Sequence, residues 1–210
     1  MSAIEATGLL RAGLLEGVSV FVAAPPGQAQ TTVSFAASVA QACAGVGARV
    51  HRGPEGGEPS SWCDETAMND AVDGALAQLG GIDVLVVDAA TFAADERWRL
   101  RACVEGAWNV TRAVVNRAFL PAEQGGRIVY LAPAAGAVAH VDAACAGLEN
   151  LARTLSIEWA RHGITTVTIA PALETAAEEV AALTAYLASV AGAYFSGCML
   201  DLRGLRAAHR

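Results

Sequence analysis

The stretch from Gly125 to Pro171 constrains the fold most, because its periodicity changes twice within one short run. Arg127-Ile-Val-Tyr-Leu131 is β-branched and aromatic and follows a Gly-Gly pair, which predicts a buried strand. Pro133 closes it, since proline has no N–H to give a ladder. From Asp142 to Arg161 there is no proline, and Leu148, Leu151, Leu155 and Trp159 recur at three- and four-residue intervals. That spacing predicts one apolar stripe of a helix, with Asp142 as its N-cap and Gly163 as its stop. Ile164 to Ala170 reads as a second strand ending at Pro171. A strand–helix–strand unit of this length fits a right-handed parallel crossover.

The rest of the chain extends the same pattern. Val18–Val22 and Ala48–His51 read as the first two strands, with an Ala-rich helix from Thr31 or Thr32 to Ala44 between them. A Gly/Pro-rich loop, Gly53 to Ser61, leads to a helix from Met68 to Leu79. Gly81-Ile-Asp-Val-Leu-Val-Val87 is then a strong strand, counted as the fourth, and Arg97 to Phe119 a long helix. Glu178–Ser189 and Gly197–Gly204 read as the last helix and the last strand region. Residues 1–16 form a lead-in carrying Leu9, Leu10, Leu14 and Leu15, residues 17–204 the domain, and residues 205–210 a tail.

Composition narrows the function. The chain has 210 residues, enough for one domain with a real core and cramped for two. A net charge of −7 leaves nothing to neutralise a row of phosphates, which argues against nucleic acid. No apolar run is long enough to span a bilayer, and the first residues carry no basic leader pattern; the expectation is a cytoplasmic protein. The five cysteines, at 43, 63, 103, 145 and 198, have no metal-ribbon spacing, so reduced and mostly buried thiols are expected.

Gly126-Arg-Ile-Val129, the run Ala146-Gly-Leu-Glu-Asn-Leu-Ala-Arg-Thr-Leu-Ser-Ile-Glu-Trp-Ala-Arg-His-Gly-Ile164 and Ile169-Ala-Pro171 together resemble the second half of a short-chain dehydrogenase/reductase. The resemblance covers roughly Gly17 to Gly204. It implies an α/β, three-layer, Rossmann-like, doubly wound parallel sheet in a single domain. It also implies NAD(H) or NADP(H) as cofactor and an Asn-Ser-Tyr-Lys tetrad, in which a lysine lowers the tyrosine pKa for proton exchange.

Placed on that pattern, the chain departs from it at each chemical position. The four tetrad positions fall on Cys103, Pro133, Val141 and Cys145, none of which supplies the lost role. The glycines of the family's phosphate loop fall on Ala24, Gln28 and Gln30, and Gly27 is out of register beside two prolines. Arg52 stands near the place where the family reads the adenosine ribose, and a solvated rim explains it as well. Asp64 resembles the aspartate that contacts adenine, or is simply an N-cap. Asp88 replaces an asparagine that ties the central strands together. Two segments are also short. Pro133 and Val141 are eight positions apart and Pro171 and Glu178 seven, so the substrate lid is truncated and water is not kept from a hydride transfer.

Three functions remain open on these residues. A degenerate member without catalytic residues, bound cofactor or metal would act as a structural subunit, paired with a second copy or with an active dehydrogenase of the family. An oxidoreductase using NAD(P)H in an altered pose is the alternative, as is a small-molecule binder in the old crevice. A nucleophile or metal site built from Cys145, His140 and Cys103 is a weak pattern beside the reading of small buried thiols. In the family, the helix holding Ala143, Gly147, Asn150 and Thr154 and the one holding Trp108 and Arg112 pack against a second subunit. Those six residues are the interface candidates, unless this face packs within the monomer.

Overall fold

The structure is a computed structural model and describes residues 10–24, 34–53, 59–92, 99–137 and 139–204. Its elements in chain order are β1 (Ser19–Ala23), α1 (Ala36–Gly45), β2 (Arg49–Gly53), α2 (Glu65–Leu79), β3 (Val84–Asp88), α3 (Ala89–Phe92) and α4 (Arg99–Val114). After a π-turn at Val115–Phe119 follow α5 (Leu120–Ala122), β4 (Gly126–Leu131), α6 (Val141–Glu158), β5 (Ile164–Ala170), α7 (Ala177–Ala188) and β6 (Cys198–Asp201). The strands form one sheet in the order β2-β1-β3-β4-β5-β6, and each neighbouring pair is parallel.

Alternation along the strands builds three layers, as a period of two requires. Phe21, Leu85, Val87, Ile128 and Tyr130 face one core with the buried sides of α2, α4 and α6. Val20, Val22, Val84, Val86, Val129 and Leu131 face the other core, packed by α1 and α7. The doubly wound, single-domain reading therefore holds. The chain reverses direction of growth between β2 and β3, so the crevice at the C-terminal strand ends lies beside β1 and β3.

Two expectations are corrected. Among the described residues the strand expected at Gly81–Val87 is the third, observed as Val84–Asp88, and Pro59–Cys63 before α2 is a 3₁₀ turn. Asp142 is not the N-cap of α6. That helix starts at Val141, and His140 takes the capping place with a left-handed backbone, φ 62°. Asp142 sits in the first turn, where a carboxylate still complements the helix dipole.

The crossover unit is held by more than its leucines. Thr166 Oγ1 donates to the Ala152 carbonyl at 2.5 Å and Thr168 Oγ1 to the Leu148 carbonyl at 3.2 Å. Both threonines are fully buried, so β5 satisfies its inward hydroxyls on the backbone of α6. Gly125 opens β4 with φ 76°, and a Cβ there would lie 2.5 Å from the Gly163 carbonyl oxygen. Only glycine fits that approach.

Candidate functional site

The C-terminal ends of β3 and β4 gather the residues that the sequence singled out. Asp88 is the last residue of β3 and is completely buried. Its Oδ2 accepts hydrogen bonds from the Phe35 N–H at 2.8 Å, the Ala36 N–H at 2.9 Å and the Ser34 hydroxyl at 3.0 Å. Phe35 is the N-cap of α1 and offers no side-chain cap. Asp88 therefore caps α1 from another element, filling part of the end of the helix where backbone donors and the dipole favour an anion. Its Oδ1 is buried without a partner. Burial pushes the carboxyl above the ordinary aspartate value, against the pull of the surrounding donors.

Near Asp88 lie three of the four residues that the sequence set against the family's tetrad, Cys103, Pro133 and Cys145. The Cys145 thiol, in the first turns of α6, points to the Pro133 carbonyl oxygen at 3.8 Å. Cys103, on α4, is buried, and its thiol is pushed up to about 12 by that burial, with further contributions from Cys145 and Asp88. The two cysteines are thus close enough to perturb one another. Burial also raises Cys145, while Arg203 works in the opposite direction. Neither is a thiolate near neutral pH, so neither has the reactive form that nucleophilic catalysis needs. Val141 is half-buried and packs against the same core. His140 is exposed. No group of three or more His, Cys, Asp or Glu among the described residues is arranged to hold a metal ion.

Arg203 is the residue that reasoning from sequence missed. It follows β6, yet it pairs with Asp201 at 2.8 Å and reaches Asp142 of α6 at 3.7 Å. That brings a positive charge over the first turn of α6, toward Cys145. Nothing in the sequence places it there, because the contact spans the whole α6–β5–α7–β6 segment.

The remaining cofactor candidates are dispersed. Ala24 is buried at the end of β1 and donates its N–H to the Gly53 carbonyl at 3.0 Å. Gly27, Gln28 and Gln30 lie outside the described residues, as do the predicted first turn of the Ala-rich helix and Leu9. Arg52 is exposed on β2, the edge strand. Asp64 is the N-cap of α2, accepting the Ala67 N–H at 2.9 Å, so of its two readings the helix cap is the one with a partner.

The six interface candidates divide. Ala143, Asn150 and Thr154 are exposed on α6, and Ile157, three residues on, is 75% exposed. Gly147 instead faces α4 of the same chain, where a Cβ would meet Val104 Cγ2 at 2.9 Å. Arg112 forms an ion pair with Glu65 of α2 at 2.6 Å. Trp108 stacks on Trp159 with ring centres 6.5 Å apart. Part of the small-residue stripe therefore serves the contact between α4 and α6 within the monomer.

Comparison with known proteins agrees with this architecture. The short chain dehydrogenase family matches residues 61–185. Two uncharacterised oxidoreductases of Mycobacterium tuberculosis, from strains CDC 1551 / Oshkosh and ATCC 25618 / H37Rv, are each 34% identical over 127 residues. The match covers 54% of this chain and 46% of each relative, so the chain spans about half the length of these proteins. Among solved structures, a short chain dehydrogenase from Mycobacterium smegmatis superimposes with a TM-score of 0.73 at 22% identity, covering 90% of this chain and 93% of that one. The citronellol catabolism dehydrogenase of Pseudomonas aeruginosa PAO1 gives 0.71 at 21% identity, over 92% and 96%. Carveol dehydrogenase of Mycobacterium avium, solved in complex with NAD, gives 0.69 at 18%, over 90% and 97%. At these identities the structures share the fold.

Proposed function

Because this chain belongs to the short chain dehydrogenase family, we propose that it is a member without catalytic activity that serves as a structural subunit. It binds no dinucleotide in the family's manner, and it assembles with a second copy or with a catalytically intact relative. The observation that carries this reading is the Asp88 carboxyl on the N–H groups of Phe35 and Ala36. In a Rossmann-like sheet the first helix presents those donors to a pyrophosphate. Here the chain spends them on its own side chain, and an incoming phosphate would have to displace a buried cap.

The chemistry of the neighbouring positions supports the same conclusion. Val141 has no proton to exchange, Pro133 has no side-chain donor, and Cys103 and Cys145 are neutral thiols held by burial. Arg203, the cation that acts on Cys145, is engaged by Asp201 and Asp142. Losing a general acid alone costs about 10²- to 10⁴-fold in rate, and here the groups that orient it are replaced as well. What the fold keeps is an exposed stripe on α6, Ala143, Asn150, Thr154 and Ile157, at helical spacing that lets another helix lie close. Covering it would stabilise whichever subunit supplies the second helix.

Light scattering on the purified chain, alone and after co-expression with an intact relative, tests the subunit role. The expected result is a mass above the monomer in at least one case, reduced to the monomer by Thr154→Arg, since Thr154 is exposed and tolerates the change in the isolated fold. A monomer at every concentration, together with no complex on co-expression, would overturn it.

A further inference from the structure

A second concave feature lies at the opposite end of the sheet from Asp88. Its lining comes from Asp83, which precedes β3, from Gly125, Gly126 and Arg127 at the start of β4, and from Gly163 and Thr165 at the start of β5. A strand of about five residues at roughly 3.3 Å each separates it from the C-terminal crevice. The cavity has a volume of about 120 Å³, room for a ligand of a few heavy atoms, given about 30 Å³ per water.

The guanidinium of Arg127 is the unusual group. Arg127 is half-buried and its Nε is fully enclosed without a hydrogen-bond partner. Five described arginines, at positions 101, 112, 117, 153 and 203, form ion pairs, and Arg127 is not one of them. Burial works against its charge, and Asp83 offsets this only from a distance. A partly desolvated cation whose enclosed Nε has no partner is held at some cost, and a bound anion would reduce it. Asp83 then sets the kind of anion. Its Oδ2 accepts the Ser19 N–H at 2.7 Å, and Oδ1 is its remaining acceptor. A bare anion would be repelled by this carboxylate, whereas an anion carrying a hydroxyl can donate to it. Thr165 adds a hydroxyl to the same lining.

We propose that the pocket between Asp83, Arg127 and Thr165 binds a small oxoanion that also bears a hydroxyl, inorganic phosphate being the simplest. Arg127 pairs with the unprotonated oxygens, and the P–OH donates to Asp83. Phosphate still carries a proton near neutral pH, while sulfate matches its size and shape and has none. The site is independent of the dinucleotide crevice, so its presence or absence leaves the reading of that crevice untouched.

Amide resonances followed by NMR during titration with inorganic phosphate, and separately with sulfate at matched ionic strength, test this. The expected result is saturable shifts clustered at Gly125, Gly126, Gly163 and Thr165, with sulfate weaker by about tenfold for the lost charge-assisted bond. Arg127→Met should abolish the clustered shifts, and Arg127→Lys should weaken them. No clustered shifts in the unmodified protein would overturn the site, and so would shifts unchanged in Arg127→Met. Sulfate binding as tightly as phosphate would overturn the role of Asp83.

Discussion

At the scale of single residues, Asp88 decides how the crevice is read, and its titration gives a test with a definite sign. Its carboxyl is raised above the ordinary value of 3.8 by burial. A group raised on folding contributes its stability below the unfolded pKa and loses it as pH rises through the folded one. Asp88→Asn keeps an oxygen acceptor for Phe35 and Ala36 but removes the titration. Denaturant midpoints measured across pH should therefore fall for the natural chain relative to Asp88→Asn as pH rises from the carboxylate range toward neutral. A difference that stays flat, or that grows in the natural chain's favour, would contradict the raised carboxyl and mean that the donors of the cap outweigh burial. Tyr130 offers a second case. Its hydroxyl is fully buried and pairs with Thr111 Oγ1 at 3.0 Å, so Tyr130→Phe leaves Thr111 unpaired. The expected loss is about 1 to 3 kcal/mol by urea unfolding.

At the scale of elements, the strand–helix–strand unit was legible because local signals agreed. Leu148 and Leu155 are buried where the helical stripe put them, and β5 spans Ile164–Ala170 as read. Leu148→Ala should cost about 2 to 5 kcal/mol, since Leu148 lies wholly inside the core between α6 and the sheet. A loss well under that range in equilibrium unfolding would mean that α6 is less firmly docked. Other features were not legible, and for a common reason. The cap on α1 comes from Asp88, more than fifty positions away, and Arg203 reaches Asp142 across two later strands. Asp142 has the residue type of a cap but stands in the first turn of α6. The chain instead turns at His140 in a left-handed conformation, which carries little signature in a histidine. Thr166 and Thr168 read only as β-branched strand residues, and their bonds to α6 depend on the crossover being formed. Before α2, Pro59–Cys63 forms a 3₁₀ turn and Trp62 is buried in the core, a contact made only in the folded chain.

At the scale of the whole molecule, family membership fixes the frame and leaves the use of that frame to particular residues. The six-stranded parallel sheet with helices on both faces is the family's architecture. No helix among the described residues is long and apolar enough to cross a membrane. The segment between β5 and α7 is a turn, closed by the Thr175 N–H on the Ala172 carbonyl and by the Ala172 N–H on the Thr175 hydroxyl. The central claim is that this crevice takes up no dinucleotide, because its helix is already capped from within. Isothermal titration of the purified chain with NADPH, NADP, NADH and NAD measures that directly. No heat with any of the four, up to millimolar cofactor, is the predicted result; saturable micromolar binding of any one of them would contradict it.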